Sequence, residues 1–311
     1  MAGEAKNVFI TGATGFIGSN LSRFLLKKGY RVNILLRKKS DTSNLDDILH
    51  LLIIHKGELS NKNNLKRILE KIKPTYIFHL ASYGNSSTQK ELNKMIEVNF
   101  LGLYNLLDAS LGVKYKSFVI SGSSSEYGFK NKPMRETDIL EPNSYYSATK
   151  SAASLLAQSF ALENNKPIKI LRLFSVYGPF EDKNRLIPTA ISKALQNKDI
   201  FITKGKIKRD FIYVDDVVEA FYKVMITITK KGEIINIGTG KHYDNKDIAE
   251  KIKKIINKKI KIKLGKFPKR SWDTNFWVAD VKKAKKILKW APKNTLNEGL
   301  KKTIEWNMKK I

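Results

Sequence analysis

Two residues four apart open the chemical question. In "YYSATK", Tyr146 and Lys150 fall on one face of a predicted helix. A phenol beside a cation ionises more easily, because positive charge favours the phenolate. Such a pair suits proton transfer to or from a sugar or alcohol hydroxyl at neutral pH. The spacing alone also fits an ordinary amphipathic helix. Its surroundings are more specific. "SGSSSEYG" lies upstream, just after a predicted strand, and brings Ser123, Ser124 and Ser125 to the carboxyl end of a sheet. Ligands of open α/β sheets bind there, and a serine hydroxyl can steady an oxygen whose charge changes.

A second constellation stands near the start. "VFITGATGFIGSN" leads an apolar strand into Gly12, Gly15 and Gly18, and a helical pattern follows. At such a junction the first glycine permits a tight turn, the second lets backbone approach a ligand, and the third lets helix and strand pack closely. The helix N-terminus then presents free N–H groups to a pyrophosphate. The spacing is Gly-x-x-Gly-x-x-Gly rather than the common Gly-x-Gly-x-x-Gly. The next strand ends in Arg37, Lys38 and Lys39, with no carboxylate for a ribose 2′-hydroxyl. That favours NADP over NAD. Glu58, after the third strand, lies within reach of the adenine side.

The elements that must position these residues alternate. Residues 8–10, 32–36, 51–54, 76–80, 118–120 and 168–174 read as buried strands. Residues 19–28, 63–72, 91–111 and 144–164 carry helical spacing between them. Strands alternating with helices predict an α/β fold, a Rossmann-like, doubly wound parallel sheet. Residues 1–176 form the expected dinucleotide-binding part. Residues 177–311 form a smaller, mixed α/β substrate lobe, with some segments returning to the sheet. Its pieces are a helix near 186–196, strands near 201 and 211–214, and a helix near 217–226.

Composition narrows the classes. The chain has 311 residues, 42% of them hydrophobic, enough for a sizeable core. It has no cysteine, so disulfides and thiolate metal sites are excluded, and no metal site is expected. No apolar run approaches bilayer length, and the opening residues lack the stretch of a secretory signal, so a cytoplasmic protein without membrane contact is expected. There are 58 Lys and Arg against 29 Asp and Glu, a net charge of +29. The lysines are scattered through helical patterns such as 251–259 and form no single arm, so no nucleic-acid partner is expected.

With these motifs in order, the chain resembles the extended short-chain dehydrogenase/reductases, the NAD-dependent epimerase/dehydratase family. The resemblance covers nearly the whole chain. It rests on "TGATGFIG" at residues 11–18, "HLAS" at 79–82, Asn99 in "EVNFLG", "SSSEYG", "YYSATK", "LRLFSVYGP" at 171–179 and "RDFIYVDD" at 209–216. It implies a catalytic Ser123, Tyr146 and Lys150; Ser123 stands five residues before Gly128, and Ser124 is the neighbouring alternative. It implies cofactor contacts at Gly12, Thr14, Gly15, Phe16, Ile17, Gly18, Arg37, Lys38, Glu58, Leu59, Leu80, Ala81, Ser82, Asn99, Ser121, Tyr146, Lys150, Phe174 and Val176. It implies nucleoside-diphosphate-sugar contacts at Ser82, Ser123, Ser124, Ser175, Arg185, Arg209 and Arg270. The family often has Asn where Ser175 stands. It also implies a homodimer through a four-helix contact of the 91–111 and 144–164 helices.

The reaction implied is hydride transfer at C4 of the sugar. The 4,6-dehydratases carry an Asp-Glu pair directly after the catalytic Ser/Thr, where this chain has Ser124 and Ser125; Glu126 comes one residue later. Dehydration is therefore demoted. A 4-keto-sugar reductase leads, because "EYG" resembles such reductases and the second strand ends basic. The alternative is a 4-epimerase with tightly held NAD. A non-catalytic basic binding protein is disfavoured by the intact triad.

Overall fold

The computed structural model describes residues 6–86, 88–203, 207–265 and 276–309. The first half alternates as the hydrophobic pattern requires. It runs β1 (Asn7–Thr11), α1 (Phe16–Lys27), β2 (Arg31–Leu36), β3 (Ile53–Lys56), α2 (Lys62–Ile72) and β4 (Tyr76–His79). It continues with α3 (Leu92–Met95), a π-turn at Ile96–Leu101, α4 (Gly102–Ala109), β5 (Ser117–Ser123), α5 (Tyr145–Glu163) and β6 (Ile168–Leu173). The second half has β7 (Ser175–Tyr177), α6 (Leu186–Leu195), β8 (Ile200–Ile202), β9 (Lys208–Arg209), β10 (Phe211–Tyr213), α7 (Val214–Ile226) and β11 (Glu233–Ile237). It ends with α8 (Asn245–Ile256), β12 (Ile262–Leu264), β13 (Phe276–Trp277), α9 (Lys282–Leu288) and α10 (Leu296–Met308).

Seven parallel strands form one sheet in the order β11-β6-β5-β4-β1-β2-β3. The order reverses at β1, so the crevice outside the carboxyl ends of β1 and β4 is the topological switch point, where ligands of such sheets bind. Alternation along β1 explains the two cores. Val8 and Ile10 pack with Ile34, Phe78 and Val119 on one face. Phe9 packs with Leu35, Ile77 and Phe118 on the other, beneath α2, α4 and α5. β11 extends the sheet beside β6, and α7 packs on the first face with Val8 and Ile10, while the short pairs β12-β8, β13-β9 and β10-β7 lie outside that sheet.

Two expected elements differ. The third strand starts at Ile53 rather than 51, because Leu49–Leu51 closes into a 3₁₀ turn. The expected helix over 91–111 is interrupted by the π-turn at Ile96–Leu101, which carries the buried Asn99. Hydrophobic spacing does not register one extra residue per turn; a polar side chain that must reach inward does.

Candidate active site

The glycine turn is shaped by close approach. Gly12 has φ +76°, and a Cβ there would lie 2.5 Å from the Ala81 nitrogen. A Cβ on Gly18 would lie 2.1 Å from the Gly12 carbonyl oxygen, so α1 rests directly on the turn. Gly15 is different: its Cβ would meet only the Gly12 carbonyl, at 3.3 Å. The helix that follows begins at Phe16 with no side-chain cap and no acidic residue in its first turn. Its amides therefore stay available to an anion, as a dinucleotide pyrophosphate requires. Thr14 is fastened through its carbonyl to Asn44 Nδ2 at 3.1 Å, and Asn20 Nδ2 donates to the Pro179 carbonyl at 3.0 Å, tying α1 to the loop after β7.

Along the crevice wall, Arg37 and Lys38 are exposed beyond β2, and Glu58 is exposed beyond β3. Leu59 is half-buried, and its carbonyl accepts from Asn105 Nδ2 at 2.9 Å. Leu80, Ala81 and Ser82 lead out of β4. Asn99 holds this exit. Its Oδ1 accepts from Tyr83 N at 2.8 Å and Ser82 Oγ at 3.2 Å; its Nδ2 donates to Tyr83 O at 2.8 Å and Thr149 Oγ1 at 3.0 Å. Asn99 thus clamps the Ser82–Tyr83 backbone against α5, a structural task that the sequence reading did not foresee.

The catalytic candidates converge at the carboxyl ends of β4 and β5. α5 begins at Tyr145, capped by Ser144, whose hydroxyl accepts from Ser147 N at 3.2 Å, so Tyr146 lies in its first turn. Tyr146 is half-buried and Lys150, one turn on, is 4% exposed. Burial raises the Tyr146 phenol above its ordinary value; the Ser82 and Ser123 hydroxyls and the Arg185 charge pull it down, and Glu126 pushes it up. The expectation that a cation leaves this phenol easily ionised is thus reversed here, because burial outweighs the charges. Lys150 is itself lowered by burial, against Glu126, and its Nζ donates to the Ser121 carbonyl at 2.6 Å.

Beside it, His79 on β4 is buried, and its Nδ1 shares a 2.8 Å hydrogen bond with Thr11 Oγ1. Burial, then the Lys150 charge, pushes His79 down to about 3. It is a neutral linker of β1 and β4. Ser123 Oγ accepts from Ser125 N at 3.2 Å and lies 2.8 Å from Ser125 Oγ. Ser124 is buried. Glu126 does not face a reacting group: its Oε1 accepts from Ser123 N at 2.7 Å and its Oε2 from Arg172 Nε at 2.8 Å. The motifs brought Ser125 to the sheet end beside Ser123 and Ser124 and included His79 in "HLAS" and Arg172 in "LRLFSVYGP", but the contacts of Ser125 with Ser123, of His79 with Thr11 and of Arg172 with Glu126 are not legible in those motifs.

The remaining candidates divide. Arg185 Nη2 donates to the Asn85 carbonyl at 3.0 Å, and its charge is felt at Tyr146, so it belongs to the cleft. Phe174 is buried with Tyr127, Met134 and Trp277. Ser175 is half-buried, its N donating to the Asp210 carbonyl at 2.9 Å, and Val176 is half-buried beside it. Arg209 lies on β9, its guanidinium 5.0 Å from the Trp277 ring centre. Arg270 lies outside the described residues. Among the described residues no group of three or more His, Asp or Glu could hold a metal, and no helix is long and apolar enough to cross a membrane.

This sheet, glycine turn and Ser-Tyr-Lys cleft define a nucleotide-dependent oxidoreductase of the extended short-chain type. Residues 8–238 match the family model "NAD dependent epimerase/dehydratase family", and the chain belongs to that family. It is 31% identical over 323 residues to a UDP-glucuronate 4-epimerase of Thermodesulfobacterium geofontis, covering 97% of this chain and 96% of the relative. It is 33% identical over 267 residues to a dTDP-D-glucose 4,6-dehydratase of Dictyostelium discoideum, covering 79% of this chain and 61% of that relative's length. The solved UDP-glucuronic acid 4-epimerase of Bacillus cereus, in complex with UDP-glucuronic acid and NAD, superposes with a TM-score of 0.89 at 27% identity, covering 98% of this chain and 100% of that one. The chain is an enzyme of the nucleotide-sugar-modifying group, working with a nicotinamide dinucleotide.

Proposed function

We propose that this enzyme oxidises and reduces C4 of a nucleoside-diphosphate sugar, with 4-epimerisation as the net reaction. The carrying observation is that the cleft assembles Tyr146, Ser123 and Ser82 while the adjacent carboxylate is tied to Arg172. Dehydration across C5–C6 needs a further acid and base, and no carboxylate in this turn is free for either. The 4-epimerase relatives support the same reading.

Gly12, Gly15, Gly18 and the first α1 amides would hold the dinucleotide pyrophosphate, and Tyr146 and Lys150 would flank its nicotinamide end. When bound, the nicotinamide supplies the hydride acceptor and donor for C4. In its phenolate form Tyr146 Oη would accept the C4 hydroxyl proton, and the phenol so formed would return it after the ketone turns over. Ser123 Oγ, supported by Ser125, donates to the same oxygen and holds it as its charge changes. Lys150 adds positive charge while tethered to Ser121. Arg185, and Arg209 across the lobe, would meet the sugar diphosphate.

A second reading, 4-keto-sugar reduction with NADPH, is favoured by exposed Arg37 and Lys38 at the end of β2, where a 2′-phosphate would find two cations. Mass spectrometry of the small molecules released on denaturation separates the two. Retained NAD supports epimerase. An empty or NADP-loaded protein that consumes NADPH with a 4-keto nucleotide sugar supports reductase. Absence of any dinucleotide binding rejects both. A homodimer is part of the proposal. Leu155 and Leu162 on α5 and Leu92, Ile96, Leu101 and Tyr104 along the α3–α4 segment are exposed apolar side chains on neighbouring helices. Sedimentation of the parent and L155E/L162E tests it.

A further inference from the structure

We infer that Glu126 is the positioning residue of Ser123, held by a buried pairing with Arg172 and given room by Gly122. The inference rests on the proposed C4 chemistry for its consequence, but on geometry for its substance. Glu126 is fully buried and bonds two groups at once, the Ser123 backbone N–H at 2.7 Å and Arg172 Nε at 2.8 Å. Arg172 is anchored on β6, one strand away, with its guanidinium 4.7 Å from the Tyr127 ring centre.

Gly122 supplies an independent argument. It sits inside β5, where glycine weakens a strand and therefore marks a close approach. A Cβ there would lie 2.9 Å from Glu126 Oε1 and 3.1 Å from Arg172 Cγ. The space that the missing side chain leaves is taken by the pair. Arg172 Nη1 is meanwhile buried with no partner. An imperfectly satisfied buried ion pair is weak evidence for stability, and its fixed geometry is the better explanation of its presence.

The consequence runs from Arg172 through Glu126 to the Ser123 backbone, and so to its hydroxyl. The charge has a second effect. The titratable groups that face Glu126 are Arg172 on β6, Tyr127 next in its own turn, and Tyr146 and Lys150 on α5. Glu126 raises both Tyr146 and Lys150.

The test uses the full chain and two variants. E126Q removes the charge; E126D keeps it but is one methylene too short to bridge Ser123 and Arg172. Both are expected to lower kcat at least tenfold with KM within about threefold, because the loss falls on the transition state. In an S123A background each is expected to cost less than twofold further, since the residue acts through Ser123. Only E126Q is expected to move the acid limb of the kcat profile, to lower pH. Additive losses, or parent kcat in both variants, overturn the inference. Amide exchange at Ser123 needs no turnover: at least tenfold acceleration is expected in both variants, and parent protection in either overturns it. Should E126Q fail to fold, E126D carries the cycle and the exchange measurement. A parent that turns over no nucleotide sugar would reject the functional reading, while the exchange result would still decide the positioning.

Discussion

The Lys150 ammonium donates a 2.6 Å hydrogen bond to the Ser121 carbonyl, so α5 is pinned to the end of β5 by its own catalytic candidate. The same strand reaches Ser123 two residues later. K150M removes the charge and the pin with little change of volume. Two stability effects oppose: an unpaired carbonyl costs about 1–3 kcal/mol, while relief of a buried cation, lowered by desolvation, is favourable. The expected net change in a urea titration is within about 2 kcal/mol of the parent. Turnover should fall about 10²–10⁴-fold. A variant that unfolds, or one that keeps parent turnover, contradicts this role.

Tyr146 should separate chemistry from binding. Y146F removes the hydroxyl that would carry the C4 proton. It is expected to keep dinucleotide affinity within about threefold and to lose at least about 10²-fold in turnover. Because burial holds the phenol above its ordinary range in the free protein, parent turnover should still be rising with pH between 7 and 9. A flat profile in that range, with chemistry rate-limiting, rejects Tyr146 as the titrating base.

The three glycines predict three different failures. A Cβ on Gly18 would stand 2.1 Å from the Gly12 carbonyl oxygen, and one on Gly12 2.5 Å from Ala81 N at positive φ. G18A and G12A must move backbone, and each should lose about 3 kcal/mol or more of stability. Gly15 has only a 3.3 Å neighbour. G15A should fold within about 1 kcal/mol of the parent yet bind dinucleotide at least tenfold more weakly, by calorimetry. Equal folding defects in all three would remove the ligand-facing role of Gly15.

What the sequence made legible follows from period. Val8, Phe9 and Ile10 sit in one apolar run, and a run bounded by glycines reads as a strand whichever face each residue takes. The Ser123, Tyr146 and Lys150 set was legible because each lies at a fixed offset within a short motif. The Glu126–Arg172 pair was not, because its members are 46 positions apart and meet only when β5 and β6 register. Asn99 stood out in "EVNFLG", but its clamp on Tyr83 was not legible, because its partners lie 16 positions upstream at Tyr83 and 50 downstream at Thr149. The sign of the Tyr146 shift was hidden for a related reason. A four-residue spacing to a lysine says nothing about how dry the pocket is.

The end of β2 tests cofactor choice. Arg37 and Lys38 are exposed there. Charge-assisted bonds to a 2′-phosphate are worth about 1.5–3 kcal/mol each. R37S/K38S is expected to weaken NADPH binding at least tenfold and to leave NADH within about threefold, by fluorescence titration. Parallel changes for the two dinucleotides would reject the NADP preference and leave NAD as the cofactor.

His79 predicts how stability depends on acid. Its folded value is about 3 against an ordinary 6.5, through burial and then the Lys150 charge. The folded protein therefore refuses a proton that the unfolded chain accepts below about 6.5. The sign follows: this contribution is complete above pH 6.5 and is lost as pH falls towards 3, with a limit of about 1.4 kcal/mol per pH unit. In H79Q the slope of unfolding free energy between pH 6 and 4 should become shallower by up to one proton. In K150M, where the neighbouring charge is gone, His79 should accept its proton at higher pH and the slope should flatten from the acid end. Denaturant unfolding across that range measures both. Parallel slopes in all three proteins would mean that the imidazole is already solvated in the native state, and that the Thr11–His79 link between β1 and β4 does not close.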